Sequence, residues 1–233
     1  MISKEQQVMG IFNTIARQYD RVNTIISFGR HHFWRRFAVA QTGLVNGANA
    51  LDLCCGTGAI TYALAEKVAP LGKVVGLDFS EKMLEVAQQR RGRFRFRTNI
   101  EFIRGNALDL PFPDACFDCV TIGYGLRNVA DRAQVLKEAR RVLRPNGTVI
   151  SLDLGKPYLP VFKNLYYFYL NQWIPMTGGI FTRDRASYRY LHDSIIDFPH
   201  QNEITKLYQE LGFHNIRCHE LTWGVAIVHV AQK

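Results

Sequence analysis

The sequence predicts an α/β domain built on a mostly parallel sheet with helices on both faces, and three observations carry that expectation. From residue 47 onward, short β-rich runs alternate with segments whose apolar residues recur every three or four positions. The first strand runs into the glycine turn Cys55-Gly56-Thr57-Gly58, which opens a helix. The 233 residues, 47% hydrophobic and 21% charged, suffice for one domain with a sizeable core and exclude a disordered or fibrous chain.

Residues 1–45 read as helix and loop. Strands are expected near 49–54, 73–78, 100–104, 117–122 and 147–154, where β-branched and apolar residues cluster between turn residues. Between them lie three amphipathic helices, ITYALAEKVA (60–69), EKMLEVAQQR (81–90) and DRAQVLKEARRVL (131–143). Asp131 is placed to cap the third, and Pro145 with Gly147 to stop it. An aromatic insertion occupies 158–200, followed by a helix at 201–211 and two terminal strands at about 214–221 and 225–231, which brings the expected sheet to seven strands. The expected organisation of 1–233 is therefore a single domain with an N-terminal cover (1–45), a core (46–157), the insertion (158–200) and a C-terminal helix with a strand pair (201–233).

The formal charge of +9, from 29 Lys+Arg against 20 Asp+Glu, suits nucleic acid, an anionic membrane surface or an acidic substrate. Five cysteines, two of them adjacent at Cys54 and Cys55, make a poor disulfide framework and fit a reducing, cytoplasmic compartment. The opening MISKEQQVMGIF lacks the apolar segment and cleavage site of a secretory signal. No apolar run reaches the ~18 residues of a spanning helix, so any membrane role is expected to be peripheral. Cys116 and Cys119 have no second ligand pair at zinc spacing, and no metal is expected.

The strongest local signal is Asp52-Leu53-Cys54-Cys55-Gly56-Thr57-Gly58, a strand ending in glycines that let backbone approach a ligand. Asp78 stands at the end of the second strand in VVGLDFS, followed by Phe79, where a carboxylate can accept both hydroxyls of a ribose. A dinucleotide fingerprint needs Gly or Ala where Thr61 stands, and a P-loop needs Gly-Lys-Ser/Thr. What remains is the acid-x-G-x-G-x-G pattern of S-adenosylmethionine-dependent methyltransferases, with Cys54 at the first glycine position, and hence a class I, Rossmann-like fold. Ligands of such sheets sit beyond the carboxyl ends of the strands, where Asn106-Ala107 follows strand three and Gly123-Tyr124-Gly125-Leu126-Arg127-Asn128 follows strand four.

Taken together, these segments resemble the ubiquinone/menaquinone biosynthesis C-methyltransferase family along nearly the whole chain. Tyr19-Asp20-Arg21-Val22-Asn23 with Ser27, His31 and Trp34 matches that family's N-terminal signature, with Val22 in place of Met. Tyr124-Gly125-Leu126-Arg127-Asn128-Val129 is similar to its Phe-Gly-Leu-Arg-Asn-Val loop, and Ser187-Tyr188-Arg189-Tyr190-Leu191, Pro199-His200-Gln201 and Leu221-Thr222-Trp223-Gly224-Val225-Ala226 also look like family positions. Asp153 and Gly155 depart from the family's Glu and Ser. The resemblance implies methyl transfer from S-adenosyl-L-methionine to a ring carbon of a prenylated benzoquinol or naphthoquinol. Cofactor contacts carried over by position are Thr57, Asp78, Asn106, Ala107 and Gly123, beside Asp52, Gly56, Gly58 and Phe79 of the glycine turn and ribose corner. The naphthoquinol branch stands ahead, with demethylmenaquinol and demethylphylloquinol both open and Asp153 with Gly155 tilting toward the phylloquinone type.

A ring carbon becomes nucleophilic when an adjacent hydroxyl loses its proton, so the reduced quinol is the expected substrate. Arg127 is a candidate to stabilise the phenolate or orient a water that takes the proton, and Asn128 to fix the other ring oxygen. Tyr19 and His31 are placed to close over the ring, and His31 or an Arg127-bound water is the proton acceptor. The aromatic run 158–173 reads as a route for the isoprenoid tail at a membrane interface, as a lid helix, or as a homodimer contact. Arg90, Arg91, Arg93, Arg95 and Arg97, interleaved with Phe94 and Phe96, would present one basic face if extended, either to solvent or to anionic headgroups. Two rival functions remain: a nucleic-acid methyltransferase, disfavoured because Gly-Leu-Arg-Asn replaces an Asn-Pro-Pro-Tyr-type motif after strand four, and a cofactor-binding module without turnover.

Overall fold

Strands β1 (Asn49–Leu53), β2 (Lys73–Asp78), β3 (Ile100–Arg104), β4 (Phe117–Gly123), β5 (Leu143–Leu154), β6 (His214–Leu221) and β7 (Ala226–Gln232) form one sheet in the order β3-β2-β1-β4-β5-β7-β6. The computed structural model describes residues 4–173 and 185–233, and the side chains of Lys4, Trp173 and residues 185–188 lie outside that description. Strands β1 to β5 pair in parallel, and β7 runs antiparallel to both its neighbours. The expected mostly parallel, seven-stranded sheet is therefore present.

Side-chain alternation along the strands sorts the core into two layers. Ala50, Val74, Cys119 and Ile150 face one side, against helices α3 (Arg30–Ala40) and α4 (Ala59–Val68). Leu51, Leu53, Val120 and Val149 face the other, against α6 (Arg132–Val142) and the C-terminal helix Gln201–Glu210. Cys119 is thus a core residue of β4, fully buried. The N-terminal region supplies α1 (Lys4–Ile15) and α2 (Tyr19–Ile26) ahead of α3, as its helical pattern suggests. Phe12, Ile15, Ala16 and Tyr19 pack on Met83 and Val86 of α5 (Glu81–Arg90), which lays this cover beside the carboxyl ends of the strands. The insertion contributes α7 (Pro160–Phe168), a π turn (Tyr169–Trp173) and α8 (Arg185–Ile196), and Gln201–Glu210 is α9. Residues 174–184 of the insertion, and the side chains of Ser187 and Tyr188, lie outside the described residues.

Two expectations are corrected. Strand β5 begins at Leu143 rather than near residue 147, because α6 passes directly into it at Val142 and is stopped before Pro145. Leu143 pairs with Phe117, the register then shifts, and pairing resumes at Thr148 opposite Cys119, with Asn146 at φ 63° in the irregular stretch. Asp131 caps α6 as expected, its carboxylate accepting the Gln134 N–H at 2.9 Å. The arginine run is not extended: Arg91–Arg93 and Arg97–Asn99 are single 3-10 turns. Phe94 stacks flat on Tyr62 with centroids 3.8 Å apart, and Arg91 donates to the carbonyls of Arg97 and Ile100, which folds the segment back on itself.

The strand order reverses between β1 and β4, the position where an open α/β sheet leaves a crevice for a ligand.

Candidate active site

A cleft of about 460 Å³ opens at that reversal, within the range of small-molecule sites. Gly56, Asp78, Phe79, Asn106, Ala107 and Gly123 all line it, and Val8, Met9 and Phe12 of α1 roof it. Gly56 has φ 54° and nothing within 4 Å of where a Cβ would stand, so a ligand can lie directly against this backbone. Its N–H donates to one oxygen of Asp78 at 2.8 Å, and the Ser80 N–H donates to the other at 2.8 Å. Burial pushes the Asp78 carboxyl up to about 6 in spite of those donors. The Asn106 side-chain oxygen accepts the Leu108 N–H at 3.0 Å, so its carboxamide builds the turn that carries Ala107 into the cleft.

Three predicted cofactor residues stand elsewhere. Asp52 and Thr57 line a smaller recess beside the cleft, with Arg35 and Tyr124. Asp52 accepts the hydroxyls of Thr61 and Thr121, each at 2.7 Å, and burial raises its carboxyl to about 6. Gly58 lines neither space. At φ 78° it starts α4, and a Cβ there would meet Phe102 and Tyr62 at 3.0 Å, so its role is a close-packed turn. The Thr57 hydroxyl donates to Asp20 of α2 at 2.8 Å. Burial would raise the Asp20 carboxyl, but hydrogen bonds from Arg90 and Thr57 and the charge of Arg35, 3.5 Å away, hold it below the usual value.

Three of the four predicted catalytic residues, Tyr19, His31 and Arg127, line a second space next to the cleft. Tyr19 borders the cleft, the recess and a chamber of about 70 Å³. His31, Arg127, Tyr124 and Tyr166 line that chamber with apolar residues of α2, α8 and the π turn. Arg127 is 7% exposed. Its guanidinium donates to Asp153 at 2.7 Å and to the Tyr124 carbonyl at 3.0 Å, while Nε has no partner. Burial disfavours its charge, and Asp153 outweighs that and holds the guanidinium protonated. The charge of Arg127 is therefore balanced inside the protein, and what it offers a ligand is N–H donors, the buried Nε–H among them. Asn128 borders the cleft rather than the chamber. Its amide donates to the Tyr124 carbonyl at 2.9 Å and its oxygen accepts from Tyr190 at 2.9 Å, so its expected grip on a ring oxygen is replaced by a brace for the turn and α8.

Arg35, Tyr124, Tyr166 and Asp153 were not marked as site residues by the sequence. Arg35 sits beside Trp34 in the N-terminal signature, and Tyr124 is a non-glycine residue at φ 58° directly after β4, which are the only local signals for either. Asp153 and Gly155 do not line the chamber. Asp153 holds Arg127 by an ion pair, and a Cβ on Gly155 would meet Ile227 at 2.3 Å, so each departure has a structural use in this chain. His32 is exposed, its ring 3.9 Å from that of His31.

Comparison with known proteins agrees with this arrangement. The ubiE/COQ5 methyltransferase family is matched by residues 1–233. Proteins called demethylmenaquinone methyltransferase from Staphylococcus aureus strains JH9 and Newman are each 42% identical over 231 residues, covering 99% of this chain and 95% of theirs. Among solved structures, a SAM-dependent methyltransferase from Aquifex aeolicus superposes with TM-score 0.66 at 17% identity, over 91% of this chain and 97% of that one. The [4+2]-cyclase SpnF superposes with TM-score 0.65 at 14% identity, over 99% and 97%, so these likenesses establish the fold alone. With the glycine turn and Asp78 on one cleft, the polar chamber beside it, and that match running from residue 1 to residue 233, the chain belongs to the ubiE/COQ5 methyltransferase family.

Proposed function

We propose that this chain methylates a ring carbon of a prenylated naphthoquinol, with S-adenosyl-L-methionine as donor and demethylmenaquinol as substrate, the reduced form of the demethylmenaquinone in the name of its 42% identical relatives. One observation carries the reading: a buried chamber with unpartnered polar atoms on His31, Tyr124, Arg127 and Tyr166 adjoins the cofactor cleft, with Tyr19 and Tyr124 shared between them. Such atoms are costly to leave unpaired and suit the oxygens of a hydroxylated ring.

The cofactor cleft fits its occupant in chemistry as well as size. Asp78 would accept the ribose hydroxyls, Asn106 and Ala107 would border the adenine, and Gly56 would admit close backbone contact, whereas Gly123 is needed to pack against Ile60. When bound, the cofactor supplies an electrophilic methyl group on a sulfonium. The residues of the chain do the rest: Tyr19 and Tyr124 hold the ring beside the cleft, and the Arg127 Nε–H supports a phenolate oxygen. Holding the ring carbon in line at near-attack distance supplies roughly 7–11 kcal/mol of the barrier. The chamber is smaller than the about 300–1,000 Å³ of ordinary ligand sites, so the ring enters by displacing its walls on α2, α8 and the π turn.

The isoprenoid tail and the surrounding bilayer give α7 its pattern. Tyr166 faces the chamber, while Val161, Leu165 and Phe168 are exposed on the opposite side at helical spacing. The protein thus works peripherally, from the cytoplasmic side, against an anionic membrane. Transfer of a labelled methyl group to demethylmenaquinone, demethylphylloquinone and a demethylated benzoquinone, each with and without prior reduction, tests the proposal. Turnover is expected on the reduced naphthoquinols. Equal turnover on oxidised forms, or turnover on the benzoquinol alone, would overturn it.

A further inference from the structure

His31 is 2% exposed and makes one side-chain hydrogen bond, with its Nδ1 2.8 Å from the hydroxyl of Ser27. That hydroxyl also lies 2.6 Å from the carbonyl oxygen of Asn23, and it receives the His31 backbone N–H at 3.3 Å. A serine has one proton to give, and a carbonyl has none. The Ser27 proton is therefore committed to Asn23, and Ser27 turns a lone pair toward His31. The shared proton sits on Nδ1, and Nε2 is left as a bare lone pair. Nε2 is buried with no partner.

The other fully buried polar atoms on the chamber wall that lack a partner are the Arg127 Nε–H, which can only donate, and the hydroxyls of Tyr124 and Tyr166, which donate or accept. Among these, only His31 can do nothing but accept. A ring that satisfies the set must bring a proton on one oxygen, which a hydroquinone does and a quinone does not. We propose that His31, held in one tautomer by Ser27 and Asn23, selects the reduced form of the ring and takes its hydroxyl proton.

This inference rests on the quinol reading above and assigns the acceptor within it. The charged and titratable groups facing His31 are Arg35 and His32 on its own helix and Asp20 on α2, with Tyr19, Tyr124, Arg127, Tyr166 and Tyr169 around the chamber. Burial, Arg35 and His32 lower its pKa to about 4 against the pull of Asp20, so the lone pair persists through neutral pH. A phenolate formed beside it favours the imidazolium and offsets that depression. The balance closes as follows: the O–H proton passes to Nε2, the ring carbon bonds to the methyl, and the S–CH3 bond breaks with its pair on sulfur. The ring then loses the hydrogen of the methylated carbon to solvent, and Nε2 returns its proton to the oxygen.

The test measures dissociation constants of a short-tail 2-prenyl-1,4-naphthoquinol and of its oxidised quinone, anaerobically and with S-adenosylhomocysteine present, alongside kcat under turnover. The intact protein is expected to favour the quinol by at least about tenfold, the scale of leaving one buried acceptor unpaired. His31→Phe is expected to abolish the preference and the turnover, while His31→Gln, which can still accept, restores part of the preference without the turnover. Ser27→Ala keeps the ring but frees its tautomer, and is expected to cut the preference about two- to tenfold, which serves even where His31→Phe folds poorly. An unchanged preference and kcat in His31→Phe, in a protein that binds and methylates the quinol, would overturn the role of His31 alone. Failure of the unaltered protein to bind either ring would overturn the quinol reading itself, and this assignment with it.

Discussion

Burial pushes the carboxyl of Asp78 up to about 6, although the N–H groups of Ser80, Gly56 and Phe79 oppose the shift. A protonated Asp78 cannot accept both ribose hydroxyls, so protons compete with the cofactor for this residue. Affinity for S-adenosylhomocysteine is expected to be level above that pH and to fall about tenfold for each further unit of acidity. Titration calorimetry from pH 5 to pH 8 checks the slope, and Asp78→Asn should remove it. Asp52 is also raised to about 6, but its oxygens are occupied by Thr61 and Thr121, so Asp52→Asn is expected to keep the slope. A slope that survives in Asp78→Asn would assign the titration to another group. Asp78 was legible in the sequence because a carboxylate at the end of the second strand has few other uses. The balanced charge of Arg127 was not, because Asp153 is 26 residues away and nothing local couples them.

Polar attachments join the first two helices of the N-terminal cover to α5 and the glycine turn. Asp20 of α2 accepts the Thr57 hydroxyl of the glycine turn and pairs with Arg90 at the end of α5, and Ser80 at the cap of α5 donates to Asn13 of α1 at 2.7 Å. Since Val8, Met9 and Phe12 roof the cofactor cleft, loosening these attachments opens it. Asp20→Ala is expected to remove about 1.5–3 kcal/mol of local stability, the worth of hydrogen bonds to a charged group. Amide exchange should rise across α1 and α2 while β1 and β4 keep their protection, and cofactor affinity should fall in step. Unchanged exchange in α1 would show that the contacts of Phe12, Asn13 and Ile15 with α5 hold this helix without Asp20. These attachments were invisible in the sequence, since partners 37 and 70 residues apart leave no periodic trace. The strands and helices of the core were legible because each choice is local: alternation along the strands, a cap at Asp131, a glycine that starts α4. The arginine run could be read either way, since its alternation is that of an extended segment and the stack of Phe94 on Tyr62 that folds it has no local signal.

At the scale of the whole molecule, several exposed apolar residues lie on the elements that enclose the chamber. Phe28, at the turn between α2 and α3, is 76% exposed with its ring 6.0 Å from that of Tyr169. Trp223, in the turn between β6 and β7, is 60% exposed and meets Phe162 of α7 edge-on at 4.9 Å. With Val161, Leu165 and Phe168 these make one apolar rim, on a chain with formal charge +9 and no helix among the described residues long and apolar enough to cross a membrane. On the proposed reading this rim would insert shallowly, and distributed charge would add a salt-sensitive attraction to anionic lipid of about 1 kcal/mol per basic residue near the surface. The two contributions separate by experiment. Val161→Glu with Phe168→Glu should abolish sedimentation with phosphatidylglycerol vesicles at every salt concentration, because it removes the inserted surface. Arg93→Glu with Arg95→Glu changes exposed side chains in the 90–97 segment and should weaken sedimentation about tenfold or more at low salt, with the difference vanishing as the Debye length shortens to about 3 Å at 1 M. Methylation of a short-tail quinol in solution should survive both pairs, since neither touches the chamber, whereas turnover of vesicle-borne substrate should track sedimentation. Unaltered vesicle binding by the α7 variant, accompanied by loss of a dimer in analytical ultracentrifugation, would assign this rim to a second copy of the chain instead of the bilayer.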